Sequence, residues 1–401
     1  MIFNTSWFLL FFLTFYFFLW FMPNPKVRFF YLLACSAVFH YHFAGPAGVT
    51  PIIIMAVITF FFAKWVASCP QGSTRKKRVF TAALMVPVLG LLFYKYRALL
   101  LSTLGPMIGG APGQWMSAHA IQPALPLAIS FFTFEFVHYL TDVYHGHGEP
   151  IRNPFKFGIF CIFFPSIVSG PIKRFQPFLA QLENGLPRPD SRKALLGLAQ
   201  VLMGFFKKLV IADNATLLIH LLEKRTDLRF GSVSLLMALL SVRILFDFSG
   251  YSDIAIGLGK MIGLDLPTNF NFPYISRNIT EFWRRWHMSL SSWIRDYIYI
   301  PMGGNRHGVV RKFLNLMVTM FVCGLWHGAS WHFGLWGMYH GVGLALHNVF
   351  EKSGFGRWWA ALPFSRWVDI AVTNIFVAYG WLLFFYPMDE VARITRHFFT
   401  W

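Results

Sequence analysis

The chain has 401 residues, 56% of them hydrophobic, 19% aromatic and 13% charged. Apolar runs of bilayer-spanning length recur from end to end, which excludes a soluble domain and predicts an all-α polytopic membrane protein. A formal net charge of +18 would suggest nucleic acid in a soluble chain, but these basic residues fall between hydrophobic runs, where inward-facing loops and anionic membrane lipids account for them; no nucleic acid partner is expected. Arginine and lysine also pair with phosphates and carboxylates, so an anionic substrate stays open.

The first run, Ile2 to Met22, has no lysine or arginine before it and no small-residue cleavage site after it, so it reads as a retained first helix. Lys26 and Arg28 follow it, the "FAGPAGVT" loop after the second run is uncharged, and "RKKR" at Arg75 to Arg78 follows the third. That alternation places the N-terminus outside. A long uncharged Gly/Pro-rich loop, Ser102 to Gln122, then falls outside, and Leu125 to Leu140 returns inward. Both "EPIRNPFK" and "GPIKRF" are basic, yet only the short run Phe157 to Ser169, interrupted by Pro165, separates them. A re-entrant segment resolves that conflict.

Later runs are Ala194 to Leu222, Val233 to Phe248, Phe313 to Trp326, Trp331 to Phe350 and Val368 to Phe385. About ten to twelve membrane segments result, re-entrant ones included. They form one domain over 1–401: N-terminal helices to 125, a core at 126–350, and a C-terminal helix and tail at 351–401. No internal repeat is evident, which weakens an inverted-repeat transporter.

Between Gly250 and His307 the chain is too polar to span. Asn278 with Glu281 forms an asparagine variant of the capping box, and Pro301 with Gly303-Gly304 supplies a stop, so one helix is expected between them. On it Trp286, Leu290, Trp293 and Tyr297 share one face, and Arg284, His287, Ser291 and Arg295 the other. The two arginines would lower the pKa of His287 and favour the neutral imidazole. A solvated interfacial helix whose arginines bind lipid phosphate explains the same pattern.

His327 lies inside an apolar run, "VCGLWHGASWHFGLWG". Intramembrane ionisable residues mark functional sites, and Gly324, Gly328 and Ala329 allow close approach while Trp326, Trp331 and Trp336 supply apolar walls. A histidine bonded to a carbonyl between packed helices fits equally well, and that packing reading is kept for His332. "YHGHG" at Tyr144 to Gly148 and the pair His327 and His340 invite zinc or haem, but no third ligand or second matched pair accompanies them. No metal and no bound cofactor is expected.

Asp247, Asp253 and Glu135 must pair if buried, with Arg243 the nearest partner by sequence for Asp247. Cys35, Cys69, Cys161 and Cys323 are too scattered for a disulfide framework. The absence of a G-x-S-x-G elbow and of a P-loop leaves a serine hydrolase and a nucleotide-driven pump unsupported.

"SFFTFEFVHYLTDVYHG", "PSIVSGPIKRF", "FDFSGYSDIAIGLGKMIGLDLPTNFNFPY", "ITEFWRRWHMSLSSWIRDYIYIPMGGNR" and "GLWHGASWHFGLWG" occur in this order. Together they resemble the membrane-bound O-acyltransferase (MBOAT) family, in particular the bacterial branch that includes alginate O-acetyltransferase and the D-alanyl transfer protein of teichoic acid. The resemblance implies a ring of tilted helices around a central pore, in the bacterial cytoplasmic membrane. It implies that an acyl thioester donor, acyl-CoA or a phosphopantetheine carrier protein, arrives from the cytoplasm and a hydroxyl acceptor from outside. His327 would be catalytic and His287 a second functional histidine, with Arg284, Arg295, Ser291, Trp326 and Asn305 contacting substrate. A second, extracytoplasmic transferase is expected as a partner. "YIPMGGNR" resembles the acetylating members, although about 400 residues leaves out the further C-terminal helices of the alginate enzyme. Glu135 and His138 replace the glutamine and uncharged residue of the commoner pattern. The expectation is acetyl transfer to an envelope glycan; D-alanyl transfer is the alternative on the same fold, and a non-enzymatic transporter of an anionic lipid-linked substrate the alternative on another.

Overall fold

A computed structural model describes residues 2–120, 124–224, 229–306 and 308–398; Gln122 and His307, at the ends of two segments delimited above, lie outside the described residues. Among the described residues all regular structure is helical. The helices that matter here are α1 (Ser6–Phe21), α2 (Pro25–Ser68), α3 (Thr74–Ile108), α4 (Gly110–Ala118), α5 (Ile129–His145), α6 (Pro154–Ile162), α7 (Phe175–Ala180), α8 (Ser191–Glu223) and α9 (Phe230–Ile262). They continue as α10 (Ile279–Arg285), α11 (Met288–Ile294), α12 (Gly308–His327), α13 (Trp331–Lys352), α14 (Gly354–Ala360), α15 (Ser365–Phe385) and α16 (Met388–Phe398). Six of these, α2, α3, α8, α9, α12 and α15, are long and apolar enough to cross a membrane. The chain divides into two compact units, Met1–Val201 with Ile254–Pro267, and Leu202–Asp253 with Thr268–Trp401.

Two expected loops of the first unit are helical. At 44 residues α2 would be about 66 Å long, twice a bilayer. It breaks inside "FAGPAGVT" at Gly45 alone, whose φ of 62° and ψ of 176° suit glycine and redirect the chain without a loop. The segment expected as an outer loop from Ser102 is mostly the end of α3 and all of α4, folded back on each other at Gly109 (φ 66°). A Cβ on Gly113 would stand 2.3 Å from the carbonyl oxygen of Gly105, so glycine permits the contact.

The stretch expected to be re-entrant opens with a short helix. At nine residues α6 is about 14 Å long, too short to span. Arg152 and Asn153 before it, Lys156 in its first turn, and Phe175, Gln176 and Leu179 after it line one cavity of about 440 Å³, so its two flanks lie side by side. The second flank is not all surface charge: Lys173 is 2% exposed and forms a buried ion pair with Glu135 of α5. Beside it the Nδ1–H of His138 donates to Phe134 O, and its Nε2 accepts the amide N–H of Phe175, both at 3.3 Å. These bonds fasten the non-helical chain after α6 to α5.

In the second unit the acids of α9 pair with α8 and not within α9. Lys208 reaches Asp213 at 2.7 Å and Asp247 at 2.9 Å, and Lys207 reaches Asp253 at 2.6 Å. The expected Arg243–Asp247 pair is therefore wrong, because Arg243 lies over the ring of Phe385, 4.8 Å from its centroid. A π-helical turn at Phe206–Ala212 carries both lysines. The polar loop at 268–276 is held by Tyr274: its OH donates to Ser241 O at 2.8 Å and accepts the indole N–H of Trp381 at 3.2 Å, while its carbonyl accepts the amide of Asn374.

Candidate active site

The expected cap forms with its return bond shifted from the N–H of Asn278 to that of the preceding residue. Oδ1 of Asn278 accepts the Glu281 N–H at 2.8 Å, and the Glu281 carboxylate accepts the Arg277 N–H at 2.9 Å. The single helix expected after it does not. Trp286 is extended (φ −98°, ψ 129°) and His287 left-handed (φ 42°, ψ 54°), so α10 stops and α11 starts afresh. A left-handed non-glycine residue costs about 1–3 kcal/mol and persists only where its surroundings compensate. Residues 269–271 do so: Asn269 O accepts the Met288 N–H and Asn271 N–H donates to Arg285 O, both at 2.9 Å.

The break overturns the shared face. Arg284 and Arg295 are exposed, and Arg295 pairs with Asp296 at 2.9 Å, whereas His287 is 0% exposed. Ser291 spends its hydroxyl on Trp286 O at 3.1 Å, and exposed Asn305 accepts the hydroxyl of Tyr299. Burial first, and then the charge of His327, keep the His287 imidazole well below the ordinary histidine range. The direction is the expected one, but its cause is desolvation and not the arginines.

His327 ends α12 and is half-buried between aromatic rings, with centroid distances of 4.9 Å to Trp326, 5.3 Å to Trp336 and 5.2 Å to Phe384. Trp326 also meets the His287 ring at 5.8 Å, so one indole joins the two histidines. Of the expected substrate contacts, Trp326 stands with them. His332 bonds Ser330 at 2.8 Å, in keeping with a packing role. The close approach of α12 and α13 that positions His327 depends on glycine: a Cβ on Gly324 would stand 2.0 Å from Phe333 O, and one on Gly337 2.0 Å from Met320 O.

Asn269 and Phe384 escaped the sequence reading, which weighed His340 only as a metal or haem ligand. Asn269, 1% exposed, places Oδ1 3.0 Å from His287 Nδ1, 2.8 Å from Ser289 Oγ and 3.3 Å from Ser289 N, and its Nδ2 3.2 Å from Ser252 Oγ. His340, 0% exposed, lies against Trp283 at 5.3 Å and Trp336 at 4.9 Å, with neither ring nitrogen bonded among the described residues. Phe384 forms a further wall. A polar residue such as Asn269 among the aromatic rings of "TNFNFPY" is the only signal the sequence offers for the first. Among the described residues no three His, Cys, Asp or Glu side chains are grouped as a metal needs.

Such a site holds two imidazoles among aromatic rings, one fully buried and the other partly accessible. That arrangement can take a proton from a hydroxyl as it attacks a carbonyl. A model of the membrane-bound O-acyltransferase family matches residues 8–386. The chain is 35% identical over 392 residues to a probable alginate O-acetylase of Azotobacter vinelandii, covering 96% of this chain and 75% of that one. It is 31% identical over 379 residues to a peptidoglycan O-acetyltransferase of Helicobacter pylori (88% and 70% covered). To a teichoic acid D-alanyltransferase of Bacillus subtilis it is 32% identical over 273 residues (64% and 68% covered).

Proposed function

The chain belongs to the membrane-bound O-acyltransferase family and is an integral-membrane acyltransferase, and from that premise we propose that it moves an acetyl group from a cytoplasmic thioester to hydroxyls of an extracytoplasmic envelope glycan. The observation that carries this reading is the meeting of His287 and His327 on Trp326, from segments far apart in sequence. The likeness to O-acetylating relatives favours acetyl. The acceptor hydroxyl attacks the thioester carbonyl while His327 takes its proton; the C–S bond breaks, an ester forms, and the thiolate recovers the proton. Both substrates meet at one imidazole, so no covalent acyl-enzyme is needed.

The two substrates reach this centre from opposite sides of the cytoplasmic membrane, through a pore ringed by the helices, with the N-terminus outside. Trp326 walls the centre; Ser291, whose N–H bonds His287 O, spends its hydroxyl on Trp286 O, and the exposed Arg284, Arg295 and Asn305 would meet only distal, anionic parts of a donor such as acyl-CoA or a carrier protein. A separate extracytoplasmic transferase completes delivery to the polymer. His327→Ala should insert and fold yet lose esterified acyl groups on the envelope to background, and full retention of ester would sink the assignment. The likeness to a D-alanyltransferase supports a second reading, D-alanyl as the group moved. Supplying acetyl and D-alanyl thioesters with different labels separates the two, since only the true donor labels the polymer.

A further inference from the structure

Asn269 anchors the left-handed turn at His287 through both its backbone and its side chain. Its carboxamide orientation is fixed by chemistry: the backbone amide of Ser289 can only donate, so the atom facing it at 3.3 Å is the oxygen. The hydroxyl of Ser289 donates to the same oxygen at 2.8 Å, and the amide nitrogen on the other side donates to Ser252 Oγ at 3.2 Å. An amide oxygen only accepts, so His287 Nδ1, 3.0 Å away, carries the hydrogen. A buried neutral imidazole has one N–H, and Nε2 is thereby left as a lone pair; it is buried and has no hydrogen-bond partner among the described residues.

We propose that Asn269 is a positioning residue that locks His287 in the Nδ1–H tautomer, so that its Nε2 serves the transfer reaction as a hydrogen-bond acceptor and never as a donor. The inference rests on the reading of His287 as part of the reaction centre. Its partner during the reaction is a hydrogen-bond donor, which the hydroxyl of the acceptor supplies. The groups facing His287, besides Asn269, are Phe248 of α9, Phe270 of the 268–276 loop, and Trp326 and His327 of α12, while Ser252 of α9 bonds Asn269. Asp247 and Asp253 of α9 are held by Lys208 and Lys207.

The test compares variants of the full-length protein in detergent, assayed for acyl transfer. Asn269→Leu removes the acceptor and frees the tautomer; kcat should fall about 10²–10⁴-fold with KM little changed. Asn269→Asp keeps an acceptor for Nδ1–H, and Ser252 can turn to donate. Its carboxylate, however, stabilises the imidazolium, so the acid limb of the kcat profile should move to higher pH by about one unit or more. If Asn269→Leu fails to fold, the Asn269→Asp profile still decides: an acid limb superposed on that of the unaltered protein overturns the proposal, as does a folded Asn269→Leu within threefold in kcat. His287→Gln separates the two levels. If it loses turnover while both Asn269 variants behave normally, only the positioning role fails; if it stays within twofold, the reading of His287 itself is wrong.

Discussion

Gly324→Ala is the sharpest probe of how α12 and α13 position His327. The added methyl would lie 2.0 Å from Phe333 O, 2.9 Å from Phe333 C and 3.1 Å from Gly337 N, against a limit of about 3.0 Å that real Cβ contacts keep. All three neighbours are backbone atoms, so no side chain can swing aside and the two helices must part by about 1 Å. His327 lies one turn beyond Gly324, and its neighbour Trp336 is next to Gly337, so the shift falls on their 5.3 Å contact. Overpacking of this kind costs about 1–3 kcal/mol of stability. A misplacement of about 1 Å at a catalytic group costs about 10²-fold in rate, equivalent to about 2.7 kcal/mol of barrier. Turnover measured in detergent should therefore fall about 10²-fold in protein that still elutes as folded material. Gly231→Ala, where a Cβ meets nothing within 4 Å, is the control and should leave turnover unchanged. A Gly324→Ala protein with turnover within threefold and an unaltered melting temperature would refute the argument.

Lys173→Met should destabilise the first unit by about 3–5 kcal/mol, because it strands the buried carboxylate of Glu135. Thermal unfolding in detergent reads this, and the double variant Glu135→Leu/Lys173→Met should recover most of the loss; a single variant that melts like the unaltered protein would show that the pair is not structural. Asn278→Ala removes the cap of α10 and should cost about 1 kcal/mol, visible as a lower unfolding temperature, while Asn278→Asp, which keeps the accepting oxygen, should stay close to the unaltered protein.

Local patterning determined much of this protein. Apolar run lengths located α12, α13 and α15 to within a few residues, because partition into hydrocarbon depends on composition along one segment. Asn278 and Glu281 announced a helix start because a capping box closes within four residues. The ordered motif blocks identified the family and singled out His287 and His327 as candidates.

What those histidines can do was decided by the tertiary structure. The left-handed backbone at His287 looks unfavourable in any local window and is stable only because residues 269–271 bond to both sides of the break. The same contact buries His287, leaves Arg284 and Arg295 outside, and makes Asn269, eighteen positions away, the partner of Nδ1. Lys208 likewise takes Asp247 from Arg243. In each case a hydrogen bond, an ion pair or a close backbone approach is settled by groups distant in sequence, which periodicity and hydropathy do not register.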